Sequence, residues 1–245
     1  MEFKFLASYV LVLIALIYSY KERLGIEKGL FLSSIRAFIQ LLILGYLLVF
    51  IFKLEHIWQL FCVLLFMVLF AAYTGEGRVK LGKHGYLISF LSIFTASFLV
   101  ILSLLSIGVI TTKPNEIIPV GGMVIGNSLN VYTLFVERLK NEVKSHLDII
   151  ENKVALGATL EKAIYEQIKA SIKAALIPVM NTLQTVGIIH IPGITTGMLL
   201  AGAEPLKAVS YQLVIMYMMV AVALFTGIST QIFIIKVYLR GKIRF

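Results

Sequence analysis

Charge is scarce in this chain. Only 14% of its 245 residues are Asp, Glu, Lys or Arg, against about 25% in an ordinary soluble domain. A soluble protein of this length would need far more polar surface to cover its core, which excludes a water-soluble globular enzyme. Cysteine is nearly missing. Cys62 stands alone, so there is no disulfide scaffold and the redox compartment cannot be read. G-x-S-x-G, H-E-x-x-H and C-x-x-C are absent, and the four histidines (His56, His84, His146, His190) are scattered. Intramembrane catalysis and a metal centre therefore have no candidate residues. The run from Gly77 to His84 nearly matches a phosphate-binding loop. His84 stands where a hydroxyl would have to bind magnesium, and an apolar run precedes it instead of a strand, so it reads as a basic loop.

Apolar residues are abundant, at 59% of the chain, with a mean hydropathy of +0.94. Disorder is excluded. What remains is an all-α polytopic membrane protein. Crossing a hydrocarbon core of about 30 Å takes roughly 20 helical residues. Seven stretches qualify or nearly do: Phe3–Tyr20, Leu30–Phe52, Leu54–Tyr73, Tyr86–Ile110, Ile117–Val136, Ala174–Ile191 and Val209–Val237. Seven transmembrane helices are the expectation, in one membrane domain over residues 1–245.

The net charge of +9 bears on topology before it suggests nucleic acid, and no nucleic-acid partner is expected. With seven spans, 17 of the 22 Lys and Arg residues fall on one side, 4 on the other, and Arg36 inside a span. Basic residues stay cytoplasmic. A cell-membrane location is expected, with the N-terminus outside and the C-terminus, with Lys236, Arg240, Lys242 and Arg244, in the cytoplasm. The first span lacks a strong basic leader and a small-x-small cleavage site, so it reads as a retained anchor.

Polar residues inside the spans are the candidates for function. Arg36 lies one turn before Gln40 in the second span. A charge at that depth either snorkels to the cytoplasmic interface or serves a pathway or a neighbouring helix. The fifth span carries Gly122 and Gly126, a small-x-x-x-small pair, with Asn127 and Asn130 three apart. These residues suit helix–helix contact or the lining of a path. The sixth span holds Pro178, Asn181, Thr182, Gln184 and Thr185. Proline kinks a helix and frees a carbonyl that nearby polar groups can satisfy, and the amides form a polar stripe that suits a pathway. The segment from Pro192 and Gly193 through Thr196 to Pro205 is too short to span and too apolar for an ordinary loop. It fits a re-entrant or surface-dipping segment on the outer side. The methionines gathered in this half serve adaptable packing or soft Cu(I) ligation. Pro178, Pro192 and Gly193 are the candidate hinges.

Residues 137–173 mix charge with apolar spacing. Leu139, Val143, Leu147 and Ile150 recur at helical intervals, and Leu160, Ile164, Ile168, Ile172 and Leu176 share a second face. Gly157 is a natural break and Thr159 a plausible N-cap. The expectation is a cytoplasmic amphipathic helical hairpin, either lying at the interface or docking a soluble partner.

Glu151 and Leu156-Gly157-Ala158-Thr159 resemble the EAA loop of ABC-transporter permeases. A wider pattern is more specific: Ser34-Ile-Arg36-Ala37-Phe-Ile-Gln40, Gly126-Asn127-Ser128-Leu-Asn130, Ala174-Ala-Leu-Ile-Pro178-Val-Met-Asn181-Thr182, Pro192-Gly193-x-x-Thr196-Gly197 and Tyr211-Gln212. In order and spacing it resembles the FetB (YbbM) family of permeases, the iron-export permeases, over most of the chain. The resemblance implies the membrane subunit of an ABC transporter, paired as a homodimer and served by a separate FetA-like ATPase. That ATPase would bind ATP and magnesium, and this chain would need no cofactor. It further implies that Glu151, Val154, Leu156, Gly157, Ala158 and Thr159 form a coupling helix. Arg36, Gln40, Asn127, Asn130, Asn181, Gln184 and Thr196 would line the path. Export of another solute, such as a nucleotide sugar, is an alternative. So is a gradient-driven transporter, which would want carboxylates within the spans.

Overall fold

The structure, a computed structural model, describes residues 2–189 and 191–239. The basic tail residues Arg240, Lys242 and Arg244 and the histidine at 190 lie outside the described residues. The chain divides into two units, Met1–Glu55 and His56–Phe245.

The first unit is a helical hairpin of α1 (Glu2–Lys21) and α2 (Glu27–Ile51). The reversal between them uses positive φ at Arg23 and Gly25. Ser19 donates to Glu27 Oε1 at 2.9 Å across the turn, and the Tyr9 and Ser34 hydroxyls meet at 3.0 Å. None of the residues of α2 is buried, so within its own unit this apolar helix leaves its surface to other partners.

The second unit is a bundle of α3 (Ile57–Val79), α4 (Gly85–Ser106), α5 (Pro114–Ser145), α8 (Tyr165–Thr185) and α10 (Pro205–Phe233). Two short helices, α6 (Leu147–Ala155) and α7 (Leu160–Ala163), join α5 to α8, and α9 (Gly193–Leu200) joins α8 to α10. Helix α10 runs on into a π-helical turn, Ile234–Leu239. Helix α5 is central and packs on α3, α4, α8 and α10. Its Tyr132, Phe135 and Val136 are fully buried and form the middle of the core with Ile88 and Ile93 of α4 and Ile168 of α8. Close approach depends on missing side chains. A Cβ on Gly121 would collide with Leu64, and one on Gly75 would lie 2.8 Å from Ser89 Oγ. Gly126, by contrast, faces open space. Of the expected Gly122–Gly126 pair only Gly122 approaches a neighbour, the end of Met67 at 3.1 Å.

Among the described residues, five helices are long and apolar enough to cross a membrane: α2, α3, α4, α5 and α10 with its π-helical turn. The expected boundaries shift most in three places. Helix α3 continues past Tyr73 and takes in Glu76, whose carboxylate accepts the Gly82 N–H at 3.0 Å. The expected span Ala174–Ile191 is the second part of α8, which begins at Tyr165 and ends at Thr185, because Val186 turns extended and Gly187 takes φ +81. Residues 137–145, expected as a separate amphipathic helix, are the last turns of α5. Leu139 and Val143 stay buried there, and the helix stops where the His146 ring bonds back to the Glu142 carbonyl.

Candidate functional site

The linker between α5 and α8 is built as local chemistry dictates. Helix α6 ends at Ala155, and the chain reverses at Gly157 with φ +93, a conformation that costs any residue with a Cβ about 1–2 kcal/mol. Thr159 then caps α7, its hydroxyl accepting the Lys162 N–H at 3.4 Å. The break and the cap expected from the sequence are both present. The second amphipathic face is interrupted once, at Ile164, so that α7 and α8 are separate helices. Ile164 and Ile168 are nonetheless buried on that face.

This reversal leaves apolar surface outside. Leu156 at its tip is 89% exposed, with Val154 and Leu160 exposed beside it. Behind the tip lies an open groove of about 410 Å³, lined by Val143, Leu147, Ile150, Val154 and Leu160, with Glu151 on its rim. Glu151 and Thr159 are exposed, and Ala158 is half-buried. Of the six residues named for a coupling helix, only Glu151 and Val154 lie in a helix; Leu156, Gly157, Ala158 and Thr159 form the turn after it, and all six but half-buried Ala158 are exposed.

The residues named for a pathway separate into groups. Arg36 and Gln40, in the first unit, are exposed on α2. Successive turns place them about 200–240° around the helix from Ser34, which faces α1. Asn127 is half-buried and donates to the Met219 carbonyl of α10 at 3.1 Å, which makes it a tie between helices. Asn130 is exposed. Asn181 and Gln184 share an exposed stripe of α8 with Ile177 and Met180, on the side away from the α5 and α10 contacts. Pro178 is exposed on the same stripe. The carbonyl it frees is that of Ala174, whereas Thr182 donates to the Pro178 carbonyl itself at 2.9 Å. Thr196 is exposed; its neighbour Thr195 is the one turned inward, donating to buried Gln212 at 3.5 Å. Pro192 and Gly193 begin α9 as its N-cap and first residue. Among the described residues no group of three or more His, Cys, Asp or Glu stands together.

Three ties were not read from the sequence. Ser128 and Thr226 share a buried hydroxyl contact at 2.6 Å. Lys140 Nζ donates to the Val79 carbonyl at 2.9 Å and to that of Lys80 at 3.5 Å. Gln212 holds α9 through Thr195. All three join residues 17 to 98 positions apart, and local pattern carries no signal for such pairs.

Comparison with known proteins agrees with this architecture. Residues 3–239 match the model of an uncharacterised protein family, UPF0014. The chain is 36% identical over 224 residues to Protein ALUMINUM SENSITIVE 3 of Arabidopsis thaliana, covering 91% of this chain and 82% of the relative. It is 35% identical over 214 residues to the probable iron export permease protein FetB of Escherichia coli, covering 87% and 83%. It is 36% identical over 227 residues to the UPF0014 membrane protein YjkA of Bacillus subtilis, covering 91% and 89%. No solved structure matches. With its whole length matched and its apolar helices in place, the chain belongs to the UPF0014 family of membrane proteins.

Proposed function

We propose that this chain is the membrane subunit of an ABC transporter that exports an iron-like metal substrate, driven by a separate cytoplasmic ATPase. The observation that carries the reading is the turn between α6 and α7. A leucine 89% exposed at the tip of a glycine-closed reversal has no stabilising role inside this chain. It suits insertion into a cleft of a soluble partner. Glu151 on the rim supplies a charge to orient that partner. The iron in this reading comes from the name of the Escherichia coli relative.

In this arrangement α1 and α8 complete the set of seven spans, with the N-terminus outside and the α6–α7 turn in the cytoplasm. The stripe Asn181–Gln184 supports a paired permease. Amides inside a bilayer normally face protein or a water-filled cavity. On α8 they face away from their own bundle, so a second copy across the stripe would enclose a polar path. ATP binding would close two ATPases, move the two turns, and rearrange the helices along that path.

The test is ATPase stimulation. The chain is reconstituted in lipid with its candidate ATPase, and wild type is compared with Gly157→Asp and Glu151→Lys. Stimulated hydrolysis in wild type and none in either variant is expected. A chain that neither binds nor stimulates any ATPase, yet moves solute down an ion gradient alone, overturns the proposal in favour of a gradient-driven transporter.

A further inference from the structure

Between α8 and α10 the chain runs through residues 185–203 without one Asp, Glu, Lys or Arg and without one Phe, Trp or Tyr. Its aliphatic side chains are not folded inward. Ile188 is 88% exposed, Ile189 76%, Ile191 62% and Leu200 85%, and Leu206 just beyond is 75% exposed. The one helix among the described residues of this stretch, α9, has 8 residues, about 12 Å of rise, and cannot cross a bilayer core.

The depth of this segment follows from its anchor. Helix α9 packs on α10, and Thr195 is bonded to Gln212 where both are nearly inaccessible. Gln212 lies seven residues into α10, about 10 Å from its start. With its π-helical turn, α10 is an apolar rod of 33 residues, about 50 Å long. It is therefore longer than a core of about 30 Å. Helix α9 is thus pinned beside the outermost third of a membrane-spanning rod, at the level where head groups give way to acyl chains.

Two kinds of partner could cover exposed isoleucines there. The energetic centres of protein interfaces are enriched in Trp, Tyr and Arg. Residues 185–203 offer none of those three. Lipid tails require only apolar area and the absence of charge, which this segment provides. We infer that the described part of the stretch from Val186 to Ala203 is a lipid anchor, inserted from its own side into the outer part of one leaflet with Ile188, Ile189 and Leu200 among acyl chains. It holds the end of α8 at the bilayer surface.

Trp58 is the only tryptophan, which makes a clean optical test possible. In a Trp58→Phe background, Ile189→Trp and Leu200→Trp are introduced singly. Both replace strongly exposed side chains and leave the core untouched. Each protein is reconstituted in phosphatidylcholine vesicles with and without bromine on the acyl chains, and acrylamide is added from the water side. The expected result is blue-shifted emission that loses most of its intensity to brominated lipid and little to acrylamide. Strong acrylamide quenching with no effect of brominated lipid overturns the inference. Shielding from both quenchers, with Ile189→Cys cross-linking between two chains, overturns it in favour of a second copy. The readout requires no ATPase and no transported solute, so it stands apart from the proposed function.

Discussion

Leu156→Ala separates docking from folding. The side chain is 89% exposed, so truncation removes almost no internal contact. Stability should change by no more than about 0.5 kcal/mol, as at an ordinary surface position. In a partner's cleft the same leucine would be buried, a gain of about 1.5–3 kcal/mol over leaving it in water. Alanine keeps a part of that gain, so the loss is about 1–2 kcal/mol, or roughly 5- to 30-fold in affinity. The assay is titration of the purified chain, in detergent, with its candidate ATPase, alongside thermal unfolding of the chain alone. Weaker binding at an unchanged unfolding midpoint is expected. Unchanged binding refutes docking at this turn. A lowered midpoint would instead mean that Leu156 holds the fold, which its exposure denies.

Two glycines of α3 should answer oppositely to alanine. At Gly75 the new Cβ meets Ser89 Oγ at 2.8 Å and Leu129 and Tyr132 at 3.2 Å. An overpacking cost of about 1–3 kcal/mol then meets a helix-propensity gain of about 1 kcal/mol. At Gly77 nothing lies within 4 Å, so the gain stands alone. Denaturation midpoints in detergent should fall for Gly75→Ala and rise for Gly77→Ala. Ser128→Ala and Thr226→Ala in a double-mutant cycle should show coupling of about 0.6 kcal/mol, the average for hydrogen bonds between helices in membranes; no measurable coupling would deny the 2.6 Å contact its role. On the transporter reading, Asn181→Leu with Gln184→Leu should leave binding of the candidate ATPase intact and abolish ATP-driven solute flux in liposomes, since both side chains are exposed on α8. Retained flux would move the path elsewhere.

How far the sequence carries is clear from particular residues. Helix interiors were readable because an apolar run of twenty residues has few other uses. Gly157 and Thr159 were readable because a left-handed turn and an N-cap are local events whose chemistry lies in one or two residues. Boundaries were not. Helix α3 continues through Thr74-Gly75-Glu76-Gly77, which reads as the end of a span. Its C-terminal carbonyls are met by Lys140, 61 residues away. Asn127 and Asn130 look alike on a helical wheel. Only the arrival of Met219 beside one of them separates a tie from an exposed amide. Thr195 and Thr196 are adjacent and chemically the same, and which one faces in depends on where α10 lies.

The same ties bear on how a push at the turn would reach the membrane. Helix α5 is one rod of 32 residues, about 48 Å, and α6 begins directly beyond its end. Along that rod Lys140 grips the C-terminus of α3, while Asn127 and Ser128 grip α10. The Asn127 and Ser128 grips are polar bonds in half-buried and buried settings, where leaving a donor or acceptor unmet costs about 1–3 kcal/mol. Helices α3, α5 and α10 therefore favour moving together. Helix α8 meets them through Ile168, Ile172 and Ala175, with Ile172 lying against Gly227 of α10. Apolar surfaces of this kind can slide, which is the geometry of shear motions. Helix α8 is joined to the turn through a break at Ile164, as α5 is at His146, and carries Pro178 further along. On the transporter reading, a displacement at Glu151–Thr159 would thus be taken up as movement of α8 against the tied block. The amides of Asn181 and Gln184 ride on that moving helix, so the step that moves the turn also changes the width of the path beside them.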